Sequence, residues 1–183
     1  ARLDLGIAYE KGKKDIGKAL HYYISTIKLK PDYEKAFNNI NVIFNNIDSA
    51  ELKLKVYEEL YQINPNRYDV NYKLGSMYGS YKKDMKRAIM FLERAVRIDP
   101  TQANAFTDLG VAYGMVGEYK QAARMLEQAA KLHPDSPLIY RNLKATYSSM
   151  GDEEKAKYYE RMAQEARQRL RLRSDRINQK QQR

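Results

Sequence analysis

The sequence predicts an all-α fold, built as a solenoid of antiparallel helix pairs. Three observations carry this. Prolines recur at Pro31, Pro65, Pro100 and Pro134, spaced 34, 35 and 34 residues apart, and each closes a similar apolar stretch, namely IKLKP, YQINP, VRIDP and AKLHP. A proline cannot continue the helical hydrogen-bond ladder, so each marks a helix stop. A second register, offset by 69 residues, sets Leu5, Gly6, Tyr9, Lys13, Lys14, Asp15, Ala19 and Pro31 on Leu74, Gly75, Tyr78, Lys82, Lys83, Asp84, Ala88 and Pro100. Units one and three therefore share a geometry, including a turn, KKD, that is one residue longer than the others. Finally, five Pro and nine Gly among 183 residues leave too few turn signals for an all-β chain.

Five units follow, at about 1–33, 34–67, 68–102, 103–136 and 137–166. First helices are expected near 1–11, 34–47, 68–81, 103–116 and 137–150, and second helices near 15–29, 50–63, 84–98, 119–132 and 153–175. The unit from Ala103 to Ser136 is the fullest. It reads Phe106, Leu109, Gly110 and Tyr113 on the first helix, Gly117 at the turn, then Tyr119, Ala122, Leu126 and Ala129 before Pro134. Leu109 and Tyr113 are four apart and share a face. Gly110 lets the partner helix approach, Ala122 and Ala129 supply the matching small surface, and Gly117 suits a turn with positive φ. One helix pair cannot bury all its apolar surface, so neighbouring pairs stack to complete each core. Past Pro134 no further proline closes the array. The stripe Tyr159, Met162, Ala166, Leu170 carries the last helix onward as a cap, and the polar RSDRINQKQQR beyond Leu172 is expected to fray.

Composition removes whole classes of function. Zero Cys excludes disulfides, thiolate metal sites and a Cys nucleophile, and two His, His21 and His133, exclude a multi-histidine centre. No metal and no cofactor is expected. There is no Gly-rich phosphate loop, nucleophile elbow or zinc motif, so the chain is read as not an enzyme. His133 reads as an exposed helix-end residue, His21 as a packing residue, and Asp152-Glu153-Glu154 as acids complementing a helix N-terminus. No apolar run approaches the ~20 residues of a membrane span. The expectation is a soluble array, cytoplasmic or periplasmic, of unspecified oligomeric state. Because it opens on Ala1, it is read as a fragment or a processed product, such as a domain cut from a larger protein.

The pattern Phe-x-x-Leu-Gly-x-x-Tyr, Gly, Tyr, Ala-x-x-x-Leu, Ala, Pro over 103–136 resembles the tetratricopeptide repeat, and the resemblance covers residues 1 to about 166. It implies a right-handed superhelical α-solenoid whose first helices line a concave side where protein partners dock. Departures fall mainly in unit two, where Asn41 stands for the family Gly and Lys53 for the second-helix Ala, so a distorted pair is expected there. Asn71 replaces the aromatic of unit three and Lys144 the Gly of unit five. Tyr9, Tyr78, Tyr113 and Tyr147 fall on the family's core position and read as packing residues.

Helical spacing on that inner side selects Asn38, Val42 and Asn45; Tyr72, Ser76 and Gly79; Thr107, Val111 and Gly114; and Arg141, Ala145 and Ser148, flanked by Asn39, Lys73, Asp108 and Asn142. Tyr72 lies off the core pattern and is the aromatic expected to anchor a partner. Small residues at the far end would let an extended peptide approach, with Asn and Thr bonding its main chain. Chaperone-binding relatives hold a terminal carboxylate with Lys, Arg and Asn on three consecutive units. That set fails here in every frame, whose positions include Leu3, Ile7 and Asp69 in one, Asn38, Val42 and Asp108 in the next, and Tyr72, Ser76 and Leu138 in the third. Tight binding of chaperone C-terminal peptides is therefore not expected.

The net charge of +10 is uneven. Residues 167–183 hold Arg167, Arg169, Arg171, Arg173, Arg176, Lys180 and Arg183 against Asp175 alone. The leading reading is a scaffold that binds a protein or peptide. The rival is nucleic-acid or anionic-surface binding by this tail. Against the rival, the Arg residues alternate at i, i+2 and spread around a helix, and no aromatic interleaves with them for base stacking. A third possibility is a C-terminal appendage of a membrane-associated enzyme or envelope-assembly protein.

Overall fold

The computed structural model describes residues 1–181, with side chains through Ile177. Among these residues it is an all-α solenoid of ten helices without strands. The helices are α1 Arg2–Ile7, continued by a π-helical turn Ala8–Gly12, α2 Ile16–Leu29, α3 Glu34–Asn46, α4 Ala50–Ile63 and α5 Tyr68–Ser80. They continue as α6 Met85–Ile98, α7 Ala103–Met115, α8 Tyr119–Leu132, α9 Pro137–Ser149 and α10 Glu153–Gln181. Consecutive helices pair in every unit but the second, and each second helix also packs on the next first helix.

The proline stops work through the residue before them. Lys30, Asn64, Asp99 and His133 all leave the helical region, at φ −137°, −142°, −133° and −137°. The Pro ring disfavours α backbone at the preceding position, so the chain must turn there. At the other end, Asp15, Ser49, Asp84 and Asp152 cap second helices by accepting from the backbone N–H of Lys18, Leu52, Arg87 and Lys155. Asp152 is thus a helix cap.

The two turn lengths expected from the sequence have distinct backbones. In units four and five the turn needs one left-handed residue, supplied by Gly117 (φ 82°) and Gly151 (φ 75°). The longer turns of units one and three place Lys14 (φ 51°) and Lys83 (φ 56°) there instead.

Close helix approach is achieved at the expected glycines. A Cβ on Gly75 would stand 2.6 Å from Leu92 Cγ, and one on Gly110 2.6 Å from Leu126 Cγ. At Gly6 it would collide with the Tyr23 ring. Facing them, Ala88, Ala122 and Ala129 are completely buried.

Unit two is distorted, as its departures imply. The backbones of α3 and α4 lack the close approach seen in the other hairpins. Asn41 fills the space a Gly would leave, and its Oδ1 accepts from Tyr57 Oη at 3.0 Å. Tyr57 also meets Phe44 edge-on, ring centroids 5.3 Å apart. Side chains, not backbone, span this pair.

The last helix departs from expectation at its end. It runs to Gln181, six residues past the predicted 175, so the segment expected to fray is helical over its described part. Ala156, Ala163 and Ala166 are buried against α9, but Leu170 is exposed, so the cap seals the array only to Ala166.

Candidate functional site

Three first helices, α5, α7 and α9, lie side by side along one wall, each touching the next. Two hollows open on this wall, one on either side of α7. The first, about 280 Å3, lies between α5 and α7; Ser76, Gly79, Lys83, Asp108, Val111 and Met115 edge it, over Ala88 and Leu92. The second, about 220 Å3, lies between α7 and α9, bounded by Val111, Gly114, Met115, Asn142, Ala145 and Ser149 over Leu126. Gly79 and Gly114 keep them open, because neither presents a side chain and the nearest atom to a Cβ there would be 3.5 and 3.9 Å away. Val111 and Met115 form the ridge between them, 39% and 65% exposed.

Of the inner-side residues expected from the sequence, Ser76, Gly79, Asp108, Val111, Gly114, Asn142 and Ala145 border the hollows. Arg141 and Ser148 are exposed on α9, and Lys73 on α5. Asn38, Val42 and Asn45 are exposed on α3, with Asn39 half-buried, but they border neither hollow.

Thr107 departs from its expected role. It is only 8% exposed, and its Oγ1 donates to the Ala103 carbonyl at 2.8 Å. One turn of helix satisfies the hydroxyl internally, so it has no free donor for a partner.

Tyr72 is half-buried rather than projecting. Its ring stacks on Tyr68 at 5.8 Å, one turn earlier, and packs against the buried cluster of Leu92, Leu109 and Ala112. Burial, then the neighbouring Asp108 carboxylate, pushes its hydroxyl up to about 12. Burial also raises Asp108 above the usual carboxylate range, with the Tyr72 hydroxyl partly offsetting this.

Lys83, Met85, Met115 and Ser149 do not stand out in the sequence. Met115 follows Val111 by four residues, so extending the i, i+4 series one step reaches it. Lys83 sits in a turn, where helical periodicity carries no information.

A second set of residues is also absent from the sequence-based expectation. Tyr78, Tyr113 and Tyr147 do pack in the core, but each hydroxyl also donates to a glutamate twenty residues earlier, on the second helix of the preceding unit: Glu58, Glu93 and Glu127. These glutamates are themselves spaced 35 and 34 apart, a repeat spacing that is legible in the sequence.

The basic tail is partly spent within the molecule. Asp135, in the turn before α9, pairs with Arg169 at 3.2 Å and Arg173 at 3.0 Å. Arg167, Arg171 and Arg176 are exposed. The side chain of Lys180, and Arg183, lie outside the described residues. Among the described residues no group of His, Asp and Glu is arranged to hold a metal ion, and no helix is long and apolar enough to cross a membrane. His133 is exposed, and His21 is exposed with its ring edge on Tyr22.

Comparison with known proteins agrees with this architecture. The profile of the tetratricopeptide repeat family matches residues 81–145. Solved structures of MamA share the fold. One is 21% identical with TM-score 0.73, covering 92% of this chain and 98% of that one. A double mutant of MamA RS-1 is 16% identical with TM-score 0.71, covering 92% and 94%. MamA MSR-1 is 20% identical with TM-score 0.69, covering 92% and 96%. No curated protein sequence matches the chain.

Proposed function

We propose that this chain, a tetratricopeptide-repeat protein, is a non-enzymatic scaffold that holds a protein segment against the wall formed by α5, α7 and α9. One observation carries the reading. Val111 and Met115, two large apolar side chains, stand exposed between two hollows on the inner wall. Apolar side chains beside concavities are what a docking surface supplies and a merely solvated helix face does not. The neutral, small surroundings at Gly79, Gly114 and Ala145 favour close approach of a partner's chain.

The rival, anion binding by the tail, loses ground because Asp135 holds Arg169 and Arg173 against the array and offsets part of their charge. A surface contact through the remaining Arg residues would be salt-sensitive and free of the inner wall.

Immobilised chain, residues 1–183, tests this. Proteins retained by the wild type are expected to be lost on Val111→Glu and kept when Arg167, Arg171 and Arg176 are all changed to Gln. The reverse pattern, with retention collapsing at moderate salt, would replace this function with the tail's.

A further inference from the structure

The inner wall carries an electrical bias as well as a shape. Lys73 on α5, Lys83 in the turn after it and Arg141 on α9 form no ion pair among the described residues, and all three are exposed. Lys83 borders the larger hollow itself. The acid of this region is Asp108, half-buried beside Tyr72, and burial favours its neutral form. Asp69 is paired with Arg67, and Glu93, which accepts from the Tyr113 hydroxyl and keeps its charge, lies on α6 outside both hollow linings. The rim is therefore net positive over an apolar interior.

Spacing adds a second constraint. The hollows repeat with the first helices, which are in contact, so they lie one helix-to-helix distance apart, about 8–10 Å. Two side chains on the same face of an α-helix fall about 10.5 Å apart at i, i+7. Same-face residues of a strand fall about 7 or 13 Å apart, a poorer match than the helical spacing. Each hollow has the volume to take one large aliphatic or aromatic side chain.

Resting on the scaffold reading above, we infer that the occupant is a short acidic amphipathic helix of a protein partner. It seats apolar residues i and i+7 in the two hollows, astride Val111 and Met115, and turns Asp or Glu toward Lys73, Lys83 and Arg141. This differs from the extended peptide expected from the sequence. Thr107, Ser80 and Thr146 each donate their hydroxyl to their own helix, so fewer side-chain donors are left for a peptide's main chain, beside apolar sockets and cations.

Selection of a random peptide library displayed on phage against the full chain tests this, followed by titration of a synthetic peptide of the enriched sequence. Enrichment of paired apolar residues at i, i+7 among Asp and Glu is expected. Affinity should fall at least tenfold for Val111→Glu or Met115→Glu, both at exposed positions, and at least tenfold when Lys73, Lys83 and Arg141 are all reversed to Glu. Enriched sequences that are basic, or lack the apolar pair, yet still fail on Val111→Glu would overturn this inference and leave the scaffold reading standing. Peptides indifferent to Val111→Glu and Met115→Glu but lost on changing the tail Arg residues to Gln would overturn both, as would a library with no enrichment.

Discussion

Tyr113 Oη donates to Glu93 Oε1 at 2.5 Å, tying the first helix of unit four to the second helix of unit three. The same link recurs between Tyr147 and Glu127 at 2.6 Å and between Tyr78 and Glu58. Stacked units touch only their neighbours, so stability depends on each junction. A hydroxyl donated to a carboxylate is worth more than a neutral pair. Tyr113→Phe keeps the ring and removes the bond, so urea unfolding should show a loss of about 1–2 kcal/mol. Glu93→Gln should lose less, because its amide oxygen still accepts.

That junction also has a pH signature. Burial, followed by the bond to Glu93, raises the Tyr113 hydroxyl from its ordinary value near 10 to about 12. The neutral form is favoured in the fold. Its contribution is complete below pH 10 and disappears as pH rises through about 12. The difference in urea midpoint between wild type and Tyr113→Phe should hold constant from pH 7 to 9.5 and shrink above pH 10.

Two neighbouring glycines should respond oppositely to alanine. At Gly110 the new methyl meets Leu126 Cγ at 2.6 Å and the Ala122 carbonyl at 3.1 Å, so helices α7 and α8 must part. Overpacking of about 1–3 kcal/mol outweighs a helix-propensity gain of up to ~1 kcal/mol. At Gly114 the nearest atom is Ala122 Cβ at 3.9 Å, an ordinary contact, so Gly114→Ala should stabilise by up to ~1 kcal/mol. Thermal unfolding of the two variants reads both signs.

Asn71, completely buried where the family has an aromatic, donates Nδ2 to the Pro65 carbonyl at 2.8 Å and the Arg67 carbonyl at 2.7 Å. In unit five, Tyr140 Oη reaches the equivalent Pro134 carbonyl at 2.9 Å, so two chemically different residues close the same junction. Asn71→Ala strands the Pro65 carbonyl and should cost about 1–3 kcal/mol. Asn71→Asp sets a carboxylate against both carbonyls and should cost more at pH 7 than at pH 4, by urea denaturation at each pH.

Lys14 carries a left-handed backbone at φ 51° where units four and five have glycine. That conformation costs a non-glycine residue about 1–2 kcal/mol. Lys14→Gly should raise the melting midpoint, whereas Gly117→Ala should lower it.

How legible the site is depends on where each residue sits. Val111, Asp108, Asn142 and Ala145 follow from helical spacing, because α7 and α9 are regular and their core faces are marked by Leu109, Gly110 and Leu143. Thr107 is misplaced by spacing, which reports direction and not the bond its hydroxyl makes to Ala103. Tyr72 looks free in the sequence because its packing on Leu92, Leu109 and Ala112 joins separate helices, although the i, i+4 spacing does place Tyr68 beside it. The helical end of α10 is hidden by polar composition, which describes solvation rather than backbone state.

The sequence alone determined the repeat, the helix limits up to the start of α10 and the close contacts at Gly75 and Gly110. Prolines, capping acids and glycines act through local sterics and bonding that neighbouring residues decide. Only the tertiary structure decided which side chains meet across units: Tyr113 with Glu93, Asp135 with Arg169, Asn41 with Tyr57. It alone opened two hollows beside α7. A void belongs to no single residue; it is what remains when three packed helices present too little side chain to fill the space between them.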